Sequence, residues 1–298
     1  MKKTILGLII ISLILLSGAT GCPQSGTSST TAAASNGLDV QFSRDAPPVS
    51  VNVNQEFPIY IDVLNNGGDY ITKGDAKFYL TSVSNLENVQ TSLSNTRTLN
   101  KESVSPDKII FAEKARFPFA LQSLFVMPMV MTSCYKYGTS TQATVCVVQS
   151  NQSAVCTISG EKISGDSNTV APVQITSLTE EIVSNKLRIT MTISNKLATG
   201  QVYLRDSDCD KIIQKDYNEA SKKDKVNIEL RTPEKGMTCK LQEAAFPYNT
   251  VDSLIGVADL GKVICEQPLS SSETVSPLYV VLRYTYISSI TKNLNILP

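Results

Sequence analysis

Phe57-Pro58-Ile59-Tyr60-Ile61-Asp62-Val63-Leu64 is the stretch from which the fold is read. Phe57, Ile59, Ile61 and Val63 alternate with residues of mixed polarity, the period of two expected of a β-strand with one buried face. Asn65-Asn66-Gly67-Gly68 then supplies four turn-forming residues in a row. The same design returns further along: Leu187, Ile189, Met191 and Ile193 alternate with Arg188, Thr190, Thr192 and Ser194, and Asn195 and Gly200 follow.

The likeness extends outward from both strands. Ala46, Pro47 and Val49 precede the first as Ala171, Pro172 and Val173 precede the second, and after the turn Phe78-Tyr79-Leu80 answers Val202-Tyr203-Leu204. Tyr135, Tyr137, Val145 and Val147 have counterparts in Tyr284, Tyr286, Leu294 and Ile296, each 149 positions on (135 to 284, for example). The expected fold is all-β, with two tandem immunoglobulin-like β-sandwich domains at residues 38–149 and 171–298, joined by a polar linker at 150–170. Helix is expected only in short pieces, at residues 210–220 and 250–258.

The beginning of the chain is organised differently. Lys2 and Lys3 precede an apolar run at residues 5–16, and Ala19-Thr20-Gly21 leads to Cys22. That order is an export signal, residues 1–21, and its apolar part is shorter than the roughly 20 residues a membrane-spanning helix needs. Residues 23–37 are almost all Ser, Thr, Gly, Ala and Gln without charge, a composition that favours a flexible tether over a packed element. The block around Cys22 resembles a lipoprotein signal, which implies that Cys22 becomes the lipidated N-terminus and ties residues 22–37 to the outer face of the cell membrane. Ala19 stands where that family usually has a large aliphatic residue, so cleavage elsewhere and release of a secreted protein is the competing expectation.

Lys and Arg number 27 and so do Asp and Glu, giving no net charge and no concentrated basic face for nucleic acid. The cluster Lys222, Lys223, Lys225 is interrupted by Asp224 and preceded by Glu219, as in a solvated loop. There is no histidine, which removes Ser-His-Asp and Cys-His catalysis. A Ser-Lys pair remains open in principle, but nothing marks one serine among the many. Asn65-Asn66-Gly67-Gly68 lies between strands and does not precede a helix, so it is a turn and not a phosphate loop.

Apart from Cys22, the cysteines are Cys134, Cys146, Cys156, Cys209, Cys239 and Cys265, an even set in an exported chain, and three disulfides are expected. The lack of C-x-x-C spacing and of histidine argues against a zinc site. A hairpin turning near Ser140 would set Cys134 opposite Cys146, the first expected pair; the other four can pair in three ways, of which Cys209 with Cys239 and Cys156 with Cys265 is favoured. Asp206, Asp208 and Asp210 recur at every second position, which in an extended loop directs carboxylates toward a hard cation such as calcium. Lys211 and Tyr217 stand where a calcium-binding helix-loop-helix would have Gly and Glu, and a polar loop tied down by Cys209 is the simpler reading. The run at residues 124–131 carries Met127, Met129 and Met131; a central strand buried on both faces is preferred to a partner-binding surface, with Pro128 marking a bulge or an edge. Asn151-Gln152-Ser153 is an N-glycosylation sequon.

Ala46-Pro47-Pro48, the strand from Phe57 and the turn from Asn65 together resemble the immunoglobulin-like, cell-adhesion-related (CARDB-like) domains of bacterial and archaeal envelope proteins. Cys134-Tyr135-Lys136-Tyr137, Val145-Cys146 and Ala171-Pro172-Val173 are similar to archaeal-type surface lipoproteins with paired modules of this kind. The resemblance implies fold and location and brings no catalytic residues. The expected function is a non-catalytic binding, adhesion or structural module that touches an envelope protein or surface polymer. The alternative is an envelope enzyme or a solute-binding lipoprotein, for which a deep pocket of convergent polar groups is the discriminating feature.

Overall fold

A computed structural model describes residues 37–101, 105–148, 156–232, 236–241, 253–269 and 274–298. The segments expected to be an export signal (1–21) and a tether (22–37, up to residue 36), with Cys22 and the sequon at Asn151, lie outside the described residues. Thr31–Pro298 is one compact unit. Its first half contributes β1 (Leu38–Phe42), β2 (Ser50–Asn52), β3 (Glu56–Asn65), β4 (Ala76–Thr81), β5 (Ser92–Ser94), β6 (Asp107–Arg116) and β7 (Phe125–Val147). The second contributes β8 (Val173–Val183), β9 (Lys186–Asn195), β10 (Gln201–Leu204), α1 (Cys209–Ile213), α2 (Tyr217–Ala220), β11 (Lys225–Arg231), β12 (Thr238–Cys239), β13 (Ser253–Asp259), β14 (Gly261–Pro268) and β15 (Thr274–Leu297).

The alternation in β3 and β9 becomes burial: Phe57, Ile59, Ile61 and Val63, like Leu187, Ile189, Met191 and Ile193, are withdrawn from solvent. Each such side chain contributes roughly 1.5 to 3 kcal/mol by leaving water. β3 pairs with β1 and β6, and β9 pairs with β8 and β14, as two small antiparallel sheets. A third, larger sheet has the order β13-β11-β15-β7-β4-β5, the same design from either end. By that order the counterpart of β4 is β11, so Phe78-Tyr79-Leu80 does not correspond to β10, which is an added strand beside β15.

The two long strands join the halves. β7 and β15 pair antiparallel from Phe125 opposite Ile296 to Val147 opposite Thr274, a ribbon of up to about 75 Å at roughly 3.3 Å per residue. Lys136 lies opposite Thr285, 149 positions on, so a pseudo-twofold axis passes through that pair. Each long strand extends past the axis into the other half: Leu294 stands opposite Met127, and Ala143 opposite Leu278, all four buried in one continuous core.

Tyr135, Tyr137, Tyr284 and Tyr286 gather at the axis, buried, with neighbouring ring centroids 5.8 to 6.5 Å apart. The hydroxyls of Tyr137 and Tyr286 meet the turns after β3 and β9, while that of Tyr284 contacts the Thr139 hydroxyl and the Val173 N–H. Tyr137 donates to Asn65 Oδ1 at 3.1 Å and accepts from the Asp69 N–H at 3.2 Å; Tyr286 donates to Asn195 Oδ1 at 3.4 Å. Gly67 and Gly200 are required beneath them, because a Cβ there would lie 1.9 Å from the Tyr137 hydroxyl oxygen and 1.8 Å from that of Tyr286. Burial pushes Tyr286 up to about 12 and raises the other three as well, so all four hydroxyls stay protonated at ordinary pH.

Several expectations change. No hairpin forms near Ser140; β7 runs straight through it, which puts Cys134 and Cys146 about 40 Å apart along one strand and rules out their pairing. The disulfides are Cys134–Cys209, Cys146–Cys156 and Cys239–Cys265, the last between register partners on β12 and β14, so Cys209 does not join Cys239 and Cys156 does not join Cys265. Three disulfides fit an oxidising, extracellular environment. Residues 253–258, expected to be helical, belong to strand β13, while Thr250 lies outside the described residues. The helix expected at 210–220 is split into α1 and α2 at Lys215, whose φ of 60° ends the first. Met127, Met129 and Met131 are buried while Val126 and Pro128 face outward, so that strand is buried on one face rather than two. Pro128 lies past Val130, the last β7 residue paired by β4, where β15 alone flanks the strand. No helix among the described residues is long and apolar enough to cross a membrane.

Candidate functional site

The alternation that buries Val280 beneath the sheet turns Tyr279 and Val281 to its outer face, where they line a groove of about 570 Å³ with Ser140, Thr141, Arg231 and Thr232. Arg231 and Tyr279 are cross-strand partners. The guanidinium is already held by Glu229, at 2.6 and 2.7 Å, and the Thr141 hydroxyl donates to Asn168 Oδ1 at 2.7 Å. With its cation neutralised and its lining largely apolar, the groove is suited to an apolar or mixed group held by packing, and among the described residues no nucleophile stands beside a base there.

A second exposed feature closes the far end of the first half. Phe117 is buried, but Phe119 and Phe125 pack on it at 5.4 and 5.8 Å and stay exposed, with Leu124, Val126 and Leu297 beside them in sequence or register. Such a patch is the usual mark of a contact surface.

Asp206, Asp208 and Asp210 are not brought together. Asp206 pairs with Lys222 at 3.4 Å, Asp208 caps α1 by accepting the Asp210 N–H, and Asp210 accepts from Lys77 at 2.5 Å and from the Tyr79 hydroxyl at 2.6 Å. The Lys77 ammonium, then the Tyr79 hydroxyl, hold the Asp210 carboxyl below its usual range. Among the described residues no three His, Cys, Asp or Glu side chains are grouped to hold a metal ion. The segment acts as a brace: Cys209, Ile212 and Ile213 pack on Tyr79, Cys134, Tyr203 and Ile287 across the outer face of the central sheet, and Cys134–Cys209 fixes them there.

One buried acid was not singled out from the sequence. Glu180 holds the inward phase of Leu178, Glu180 and Ile182 on β8, and that apolar phase was the available signal. Both its carboxylate oxygens accept the Cys146 N–H at 3.1 Å, and Lys162 lies 3.6 Å away. Burial pushes its carboxyl up to about 7, against the opposing pull of the Cys146 amide and Lys162. Beside the Cys146–Cys156 disulfide it fastens β8 to β7, a structural task.

No family model matches the chain, and no curated protein matches it. Among solved structures, the secreted serine protease VesC from Vibrio cholerae is 9% identical, aligned over 82% of this chain, with a TM-score of 0.19; the chain spans 49% of that protein's length. A structure described as manganese lipoxygenase of Gaeumannomyces graminis with part of zonadhesin of Komagataella pastoris is 10% identical over 88% of this chain and 93% of its own, with a TM-score of 0.13. At these scores neither a fold nor an activity carries over.

Proposed function

We propose that the chain is a surface lipoprotein, anchored through Cys22 to the outer face of the cell membrane and acting as a non-catalytic binding, adhesion or structural module. Each half, 38–149 and 171–298, is in this reading an immunoglobulin-like sandwich, fused to the other through the β7–β15 ribbon. The observation that carries the proposal is the cysteine ledger: six of seven cysteines are consumed in three disulfides, and the seventh, Cys22, follows the export signal. Two acyl chains would hold the protein firmly, since each buried methylene contributes about 0.8 kcal/mol. The exposed groove and the Phe119–Phe125 patch are the surfaces offered to an envelope protein or polymer.

Intact mass of the protein extracted from membranes tests this. The expected species begins at Cys22, carries a lipid mass and has no free thiol, and Cys22→Ser moves the protein from the detergent phase to the aqueous phase. A full-length chain with all seven thiols free defeats the reading. The groove favours one alternative, a solute-binding lipoprotein, and a small ligand that protects Tyr279 from modification would support it.

A further inference from the structure

The outer face of the large sheet differs between the halves. In the first half it is sealed, because the brace segment lies on Tyr79, Cys134 and Ile287 and the Cys134–Cys209 disulfide fixes it there. In the second half, among the described residues, no such segment lies on the face from Tyr279 to Arg283, and both of those side chains are exposed. The pseudo-twofold axis puts Val130 and Cys134 where Tyr279 and Arg283 stand, 149 positions earlier. The exposed aromatic ring is therefore particular to the second half and is not a demand of the shared frame.

Strand register sets the side chains of this face in rows. Arg231, Tyr279 and Gln142 are cross-strand partners on β11, β15 and β7, and Glu229, Val281 and Ser140 form the next row. Neighbouring strands lie about 4.8 Å apart, so a guanidinium and a carboxamide flank the Tyr279 ring, one strand away on either side. The guanidinium donates hydrogen bonds, and the carboxamide both donates and accepts them. Charge is balanced within the face. Arg231 is held by Glu229, and Arg283 stands opposite Gly138, over which the Asp69 carboxylate lies, 2.7 Å from where a Cβ would be. The face thus presents no field of one sign to attract a polyanion or a polycation. It complements an uncharged chain that has apolar ring faces and hydroxyl rims.

We propose that this face binds a neutral polysaccharide built of hexopyranose units. One sugar ring packs its C–H face on Tyr279, and its rim hydroxyls, each a donor and an acceptor, bond to Arg231 and Gln142. The groove of about 570 Å³ lies within the range of small-ligand sites, roughly 300 to 1,000 Å³. The proposal names the polymer in the surface-module reading above and rests on that reading for where the partner is met. Binding itself requires no lipid anchor.

Calorimetric titration of cellohexaose, mannohexaose and N-acetylchitohexaose into the full chain carrying Cys22→Ser tests it apart from lipid attachment. At least one sugar is expected to bind, with an affinity that does not change between about 50 and 500 mM salt. Tyr279→Ala is expected to weaken that binding about tenfold, and Tyr279→Phe, which keeps the ring, to recover most of the loss. Tyr217→Ala, which removes an exposed tyrosine on α2, leaves it unchanged. Binding of none of the three sugars, or equal binding by Tyr279→Ala, overturns the proposal and leaves the anchor at Cys22 untouched. So does a concentration-dependent dimer in sedimentation that Tyr279→Ala abolishes, since the face is then a protein interface. A native chain that lacks lipid yet binds sugar through Tyr279 defeats the anchor alone.

Discussion

The two halves hold their turns to the tyrosine cluster with unequal strength. Tyr137 serves two groups, Asn65 and the Asp69 amide, whereas among the described residues Tyr286 bonds one, Asn195, at a longer 3.4 Å. The second half instead has covalent fastening of its own: Cys239–Cys265 ties β12 to β14, and Cys209, in the segment added between β10 and β11, reaches back across the axis to Cys134. One strand plan is thus fixed mainly by hydrogen bonds on one side and by sulfur on the other. The comparison teaches that the duplicated frame fixes where the turns go, and leaves open which interaction secures them.

The largest expected effect comes from the sulfur that crosses the axis. Cys134→Ala with Cys209→Ala opens a 75-residue loop and should cost roughly 4 kcal/mol in a urea titration. Removing Cys146 and Cys156, only 10 residues apart, should cost less than about 3 kcal/mol, and the reverse order would break the unfolded-chain account of these bridges. Next come the glycines under the clamps. Gly67→Ala or Gly200→Ala should each cost about 3 kcal/mol through overlap with a tyrosine hydroxyl, and adding Tyr137→Phe or Tyr286→Phe should recover part of that loss; no recovery would place the strain elsewhere.

Glu180 gives a smaller effect with a definite sign. Its folded carboxyl, at about 7, binds a proton more tightly than the unfolded one, near 4.5, so its share of stability is present at low pH and is lost as pH rises from 4.5 toward 7. Melting curves should show a loss of about 2 kcal/mol between pH 5 and pH 8 that Glu180→Gln flattens. The smallest effect separates the clamps: Tyr137→Phe should cost about 1.5 kcal/mol and Tyr286→Phe about 0.5 kcal/mol. Equal losses would erase the contrast between the halves.

Much of the frame was legible because alternation is a local signal. β3 and β9 could be placed from four apolar residues and a turn, and the spacing between Tyr135 and Tyr284 carried the repeat. The long strands were not legible in the same way. A strand of more than 20 residues lies far outside the usual length of five or six, and Gly138 and Ser140 within β7 look like a turn to any local reading. That one misplaced hairpin also misdirected the cysteine pairing, since the partner of Cys134 is decided by the packing of α1 on the sheet and not by sequence distance. Glu180 was missed because an isolated acid is ordinarily assigned to the surface, and its partners, the Cys146 amide and Lys162, come together only in the fold.

β2 lies in parallel beside the end of β15, Ser50 opposite Asn295 and Asn52 opposite Leu297. β1, β3 and β6 find one another within the first half, but that half cannot pair β2 until the last strand has been delivered. Closing a contact over that separation is slow. The order of assembly is thus written into which strand closes the ribbon: the three-stranded sheet of the first half can form early, and the seam between β2 and β15 forms last.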